Sequence, residues 1–275
     1  MLSKTVQSAG STYRAPHFVA RGLPAFCRSL IPSAFRELKR KVVFRRALRR
    51  GLKLCAGLSV EQTFETIYKN NLWGGPPGDF YSGTGSDAAI ADPYCNYVRQ
   101  FIQENNIKSI VDLGCGDFRV GRRLVVQNTS YVGIDVVSSL IERNTREFGS
   151  EGIRFQTLNA IDQVPPAGDL CLVRQVLQHL SNEQIMRVLR NCGSFRYLIV
   201  SEHAILRNPC PKNADKVHGH DTRPSGIELD KAPFECKVKT ILEVPIGPNE
   251  VVRTVLITQE SPACSKFHSQ VGTPA

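Results

Sequence analysis

The stretch Val111-Asp112-Leu113-Gly114-Cys115-Gly116-Asp117 constrains this chain more than any other. The apolar run from Ile107 to Val111 reads as a short buried strand, and it breaks into an acid and two glycines one residue apart. A helix-like segment, Phe118 to Val126, follows at once. Strand, glycine turn and helix in direct succession commit the region to an α/β fold and make the turn a nucleotide grip. Glycine lets the backbone approach a ligand where a Cβ would collide. The N–H groups at a helix start then remain free to hold that ligand.

A dinucleotide grip needs G-x-G-x-x-G, with the third glycine packing helix on strand. Here Phe118, Arg119 and Val120 follow Gly116, and the next glycine is Gly121. The acid at Asp112 would also repel a diphosphate. It would instead favour a ligand carrying an ammonium and a sulfonium. With these residues, the motif resembles the first motif of the class I S-adenosylmethionine (SAM)-dependent methyltransferases. The resemblance implies SAM as cofactor, held by Asp112, Gly114, Cys115 and Gly116.

The rest of the core supports an alternating architecture. Strands are expected at Ile107–Val111, Tyr131–Ile134, Ile153–Leu158, Leu170–Val173 and Tyr197–Val200, with helical segments near 118–126, 137–148 and 181–191. Alternation of this kind implies a parallel sheet covered on both faces. Two further strand-like runs, Lys237–Val244 and Val251–Thr258, are joined by a loop short enough only for antiparallel neighbours. The expected fold is therefore α/β, Rossmann-like and doubly wound: a mostly parallel seven-stranded sheet ending in a C-terminal antiparallel hairpin. A dinucleotide-binding sheet would continue parallel.

In an open α/β sheet, ligands bind beyond the carboxyl ends of the strands. Asp135 ends the second strand, and the resemblance implies that it accepts hydrogen bonds from both ribose hydroxyls while Val136 packs near adenine. Asp135 also suits the N-terminus of the helix beginning at Val137. At the end of the third strand, Asn159 and Ala160 fall where the family binds the adenine amine, with Asp162 as the alternative. The run Arg174-Gln175-Val176-Leu177-Gln178-His179-Leu180 resembles the post-strand motif of small-molecule methyltransferases. It implies Gln175 beside the methionine part of the cofactor, and Gln178 and His179 facing the methyl-transfer pocket. His179 reads equally well as a structural histidine bound to a backbone carbonyl.

Acceptor residues are expected from loops at the carboxyl edge. Asp221 and Arg223 fall in one such loop, which reads alternatively as merely salt-bridged. Trp73, the sole tryptophan, lies in the Gly- and Pro-rich segment 71–86, read as a lid over the cofactor or as a flexible linker. His179 and His203 are the candidate bases, needed only if the acceptor is a hydroxyl. No Asn/Asp-Pro-Pro-Tyr/Phe run follows the fourth strand, which disfavours amino methylation of nucleic-acid bases. The expected activity is methyl transfer to a small-molecule or carbohydrate acceptor, on oxygen. The alternatives are an RNA or protein methyltransferase and a non-catalytic SAM-binding scaffold.

Of the 35 Lys and Arg in 275 residues, thirteen fall within the first 53, against the single acid Glu37. The formal charge of +10 thus belongs to an N-terminal arm, and the remainder is nearly neutral. The arm resembles an organelle transit peptide. Phe35, Leu38, Val42, Leu48 and Leu52 also recur near helical spacing, which suits a membrane-surface or nucleic-acid-binding helix. A solvated basic helix or disordered tail with no partner is the third reading. No run of 18 apolar residues is present, so no membrane span is expected.

Nine scattered cysteines without a C-x-x-C pair argue for reduced thiols and an intracellular, soluble protein, cytoplasmic or organellar. Cys210 with His218 and His220 matches no common zinc spacing, so no metal is expected. The organisation expected is a basic arm or targeting segment at 1–55, a helical leader at 56–106, a SAM-binding core at 107–260 and a disordered tail at 261–275.

Overall fold

The computed structural model describes residues 33–76, 78–207 and 211–258. The first part of the basic arm, Cys210 and the tail at 261–275 lie outside them. Two helices precede the core, α1 (Ser33–Cys55) and α2 (Val60–Lys69). A third, α3 (Ala88–Glu104), leads into β1 (Ser109–Leu113) and β2 (Ser130–Asp135). Then follow α4 (Ser138–Phe148), β3 (Ile153–Thr157), β4 (Leu170–Arg174), α5 (Asn182–Asn191), β5 (Tyr197–Ile205), β6 (Lys239–Gly247) and β7 (Glu250–Thr258).

The seven strands form one sheet in the order β3-β2-β1-β4-β5-β7-β6. The first five are parallel, and β7 enters antiparallel between β5 and β6. Strand alternation sorts the core into two layers. Val111, Leu113, Cys171 and Val173 face α5, whose Ile185, Val188 and Leu189 recur at helical spacing. Ile110, Leu170 and Leu172 face α3 through Tyr94, Val98 and Ile102. Chain order reverses between β1 and β4, which is where such a sheet opens a crevice at its carboxyl edge.

Several boundaries differ from the sequence expectation, four of them with consequences for the site or the sheet edge. β1 runs to Leu113, so Asp112 is a strand residue and not its terminus. No α-helix follows the glycines; the segment 118–126 contains only a 3-10 turn, Gly121–Arg123. The cause is Phe118, held at φ 62 with its ring packed against Tyr131, Phe148 and Phe155. A left-handed residue there stops a right-handed helix from starting. The turn's grip therefore rests on the glycine backbone alone. β5 continues past Val200 to Ile205 because β7 pairs with it along its whole length, which puts His203 on a strand. The hairpin loop shrinks to Pro248 and Asn249, and Pro245 lies within β6. β6 is an edge strand, where a residue without an N–H is tolerated.

Candidate active site

The carboxyl ends of β1, β2, β4 and β5 open into one cavity of about 1180 Å³. Its volume exceeds the roughly 300–1,000 Å³ typical of a site for one small ligand. The candidate residues Trp73, Asp112, Gly114, Cys115, Gly116, Asp135, Val136, Asn159, Ala160, Gln175, Gln178, His179, His203, Asp221 and Arg223 line it, whereas Asp162, the alternative to Asn159, lies outside and pairs with Arg187.

The glycine turn is built for close approach. The Gly114 and Cys115 N–H groups donate to the Ile134 carbonyl at 2.8 and 3.0 Å, tying the turn to β2. Gly114 has φ +70, and a Cβ there would stand 2.3 Å from Val176 Cγ2. Gly116 has φ +54, and its Cβ would meet Ser82 Oγ at 2.4 Å. Each position combines a left-handed backbone with no room for a side chain.

Two buried carboxylates flank this turn. Burial pushes Asp112 up to about 6, against the Tyr131 hydroxyl, which donates to it at 2.5 Å. Burial likewise raises Asp135 to about 6, against N–H donations from Val137 at 3.1 Å and Gly116 at 3.2 Å. Asp135 thus serves the backbone at the start of α4 and still lines the cavity. Asn159 is more committed. Its amide nitrogen donates to Glu61 and Asp162, and its oxygen accepts from the Ile161 N–H. Ala160 lines the cavity beside it without such ties.

The turn after β4 departs from ordinary backbone geometry, with Gln175 at φ 59. It is held in place by Glu202, a buried acid in the middle of β5. One Glu202 oxygen accepts the N–H groups of Val176 and Leu177 at 2.9 and 2.8 Å, and the other accepts that of Gln178 at 3.3 Å. Burial raises Glu202 to about 7 in spite of these bonds. Gln178 then donates to Gln175 Oε1 at 2.9 Å, leaving Gln175 Nε2 and Gln178 Oε1 buried and unpartnered.

His179 is buried, and desolvation pulls it down to about 4, so its ring is neutral near pH 7. Its Nδ1 lies 3.1 Å from the Gly219 carbonyl, which fixes the proton on Nδ1 and leaves a lone pair on Nε2. Trp73 packs on its ring at 5.1 Å and Phe64 meets it edge-on at 6.0 Å. His203 Nε2 lies 3.4 Å from Glu250, across the β5–β7 ladder. Asp221 pairs with Lys216 at 3.2 Å. Arg223 is buried, with its guanidinium donating to Asn182, Ala214 and Leu180. It shapes the loop it belongs to. Among the described residues no cluster of metal-ligating side chains occurs.

The leader crosses this cavity and is pinned at three places. The Trp73 indole N–H donates to the His220 carbonyl at 3.2 Å. Ser82 exchanges hydrogen bonds with Asp117, and Arg174 Nη2 donates to the Gly85 carbonyl at 2.6 Å. The end of α1 closes one side: Leu48 lines the cavity, and Gly51 packs so tightly on His220 that a Cβ would lie 2.4 Å from its ring.

Sequence reasoning gave no role to Glu202, Arg174 or Glu250. Glu202 had a signal, a lone acid inside an otherwise apolar strand-like run. Arg174 opens the Arg174–Leu180 motif. Glu250 had none, because its relation to His203 exists only through the register of β5 on β7.

This sheet order, with its reversed seventh strand and glycine turn at the switch point, is the expected Rossmann-like α/β architecture, a mostly parallel sheet ending in an antiparallel hairpin. No protein-family model and no curated protein matches the chain. Among solved structures, it is similar to magnesium protoporphyrin IX methyltransferase from Synechocystis with bound SAM. That match has 15% identity over 74% of this chain and 99% of that one, with a TM-score of 0.49. Human N-acetylserotonin methyltransferase in complex with SAM matches at 13% identity, over 78% of this chain and 65% of that one, TM-score 0.44. The methyltransferase domain of a bacterial Hen1 matches at 16% identity, over 60% and 97%, TM-score 0.43.

Proposed function

We propose that the chain is a SAM-dependent methyltransferase acting on a small-molecule or carbohydrate acceptor, on oxygen. One observation carries this reading: two buried carboxylates, Asp112 and Asp135, flank a glycine turn with no space for a Cβ. Asp112, beside the turn, would repel the diphosphate of a dinucleotide and suits a ligand with cationic groups, and Asp135, at the end of β2, suits one with ribose hydroxyls. The cavity also exceeds what one small ligand fills, which leaves room for an acceptor.

Asp135 would accept from the ribose hydroxyls, with Val136 and Ala160 against the adenine. Gly114, Cys115 and Gly116 would give close backbone contact, and Asp112 and Gln175 would meet the amino-acid end. Asn159, tied to Glu61 and Asp162, would position this edge more than bind at it. Bound SAM supplies an electrophilic methyl group. The protein then aligns the acceptor and excludes water. Trp73, Gln178 and Asp221 form the acceptor wall, which Arg223 braces through its carbonyl contacts. The leader at 71–86 acts as the lid. His203, oriented by Glu250, is the better-placed base for a hydroxyl. His179, with a depressed proton affinity, serves to orient through its Nε2 lone pair.

Calorimetry with S-adenosylhomocysteine is the direct test. Asp112→Ala and Asp135→Ala should each weaken binding at least about 10-fold, the scale of one lost charge-assisted hydrogen bond. Unchanged affinity in both variants would sink the assignment. Labelled SAM incubated with cell extract, followed by mass spectrometry of the methylated species, identifies the acceptor.

A second reading rests on α1, whose Arg45, Arg46, Arg49, Arg50 and Lys53 are exposed beside the cavity. Such a surface suits an RNA or an acidic protein acceptor. It requires binding to polyanions that weakens steeply with salt.

A further inference from the structure

Arg174, at the end of β4, presents an electrostatic problem. Its Nε atom is buried without a partner, and burial lowers its proton affinity. Among the described residues its direct contacts are the Gly85 carbonyl, at 2.6 Å, and the face of the Tyr94 ring, at 5.0 Å, while the buried acids Asp112 and Glu202 act on it without forming an ion pair. The two direct partners are neutral groups. Among the described residues no ion pair holds it. A buried charge is normally paired, because neutral partners replace only part of the lost hydration.

Arg174 lines the cavity, and the residue keeps some exposed surface. Its surroundings are asymmetric in charge. In the parallel register Asp112 lies opposite Leu172, so Asp112 and Arg174 project from the same face of the sheet, on neighbouring strands. Arg174 helps to keep the Asp112 carboxyl ionised, yet the two form no ion pair. Between them the wall offers an anion and a cation to one region of the cavity.

We propose that Arg174 is the carboxylate-binding residue of this site. Resting on the SAM reading above, it takes the carboxylate of the cofactor's amino-acid end while Asp112 faces the neighbouring ammonium. These two groups sit on one carbon of the ligand, which matches a wall that presents both signs close together. The contact to Gly85 gives Arg174 a further part. The residue that meets the carboxylate also holds the 82–86 segment of the leader, so ligand and lid share one anchor.

The test is calorimetry with three ligands. S-adenosylhomocysteine has both carboxylate and ammonium, S-adenosyl-3-thiopropylamine lacks only the carboxylate, and 5′-methylthioadenosine lacks both. The wild-type chain should bind S-adenosylhomocysteine about 10- to 100-fold more tightly than the thiopropylamine. Arg174→Met should abolish that difference by weakening S-adenosylhomocysteine alone, and should leave 5′-methylthioadenosine unchanged. Arg174→Lys should restore part of it.

Equal wild-type affinity for the first two ligands overturns the assignment without any variant, and so does Arg174→Met weakening all three alike. If the wild-type chain binds none of the three, the SAM reading itself has failed. Binding of all three without discrimination fails only the role given to Arg174.

Discussion

Glu202 shows how a single buried side chain sets the shape of this site. Its carboxylate collects three consecutive N–H groups, which holds the turn after β4 in a conformation that Gln175 enters at positive φ. Its burial has a consequence for pH. The folded-state value of about 7 lies above the free value of 4.5, so the native chain binds the proton more strongly than the unfolded one. The stability contributed by protonated Glu202 is full below about 4.5 and is lost as pH rises through 7. Asp112 and Asp135, raised from 3.8 to about 6, act in the same direction; His179, lowered from 6.5 to about 4, opposes them. Glu202→Gln should flatten the decline in stability between pH 5 and 8, by at most on the order of 3 kcal/mol. Urea midpoints at the two pH values measure it. Parallel profiles for wild type and variant would refute the account.

At the scale of elements, the boundaries that patterning could place are those set by local chemistry. α5 begins where Ser181 and Gln184 form a reciprocal capping box, which is visible as a Ser-Asn-Glu-Gln run. α4 and the parallel strands follow from their apolar periodicity. The missing helix after Gly116 was not visible, because the positive φ of Phe118 comes from ring packing against residues up to Phe155. The length of β5 was equally hidden, since it is set by a partner strand some fifty residues later. For the site, the glycine turn and both acids carry local signatures, whereas Glu250 reaches His203 only through the register of β5 on β7. The leader lends itself to a direct measurement. Trp73 is the only tryptophan and packs on His179 within the cavity. Saturating S-adenosylhomocysteine should therefore shift its emission. A spectrum unchanged where calorimetry registers binding would count against the leader as a lid.

At the scale of the whole molecule, the positive charge of the arm and the construction of the site overlap at the end of α1. Leu48 lines the cavity, Gly51 abuts His220 and Cys55 is buried, whereas Arg45, Arg46, Arg49 and Arg50 are exposed. Charge alone marks the first 53 residues as a separate arm, but packing joins their last turns to the core. Removing 1–55 should lower the melting temperature by about 2–4 °C for each kcal/mol of packing lost, and weaken binding. An unchanged melting temperature and unchanged binding in that truncation would show that α1 is no part of the wall.

The cavity draws its walls from Leu48 near one end of the described chain and Glu250 near the other. Such a site has no local precursor: its walls meet only through contacts distant in sequence, whose closure costs loop entropy. A fragment that lacks either end of that span lacks part of the wall. Occupancy is then linked to cooperative unfolding, and a ligand present at one hundred times its dissociation constant stabilises the entire chain by about 2.7 kcal/mol.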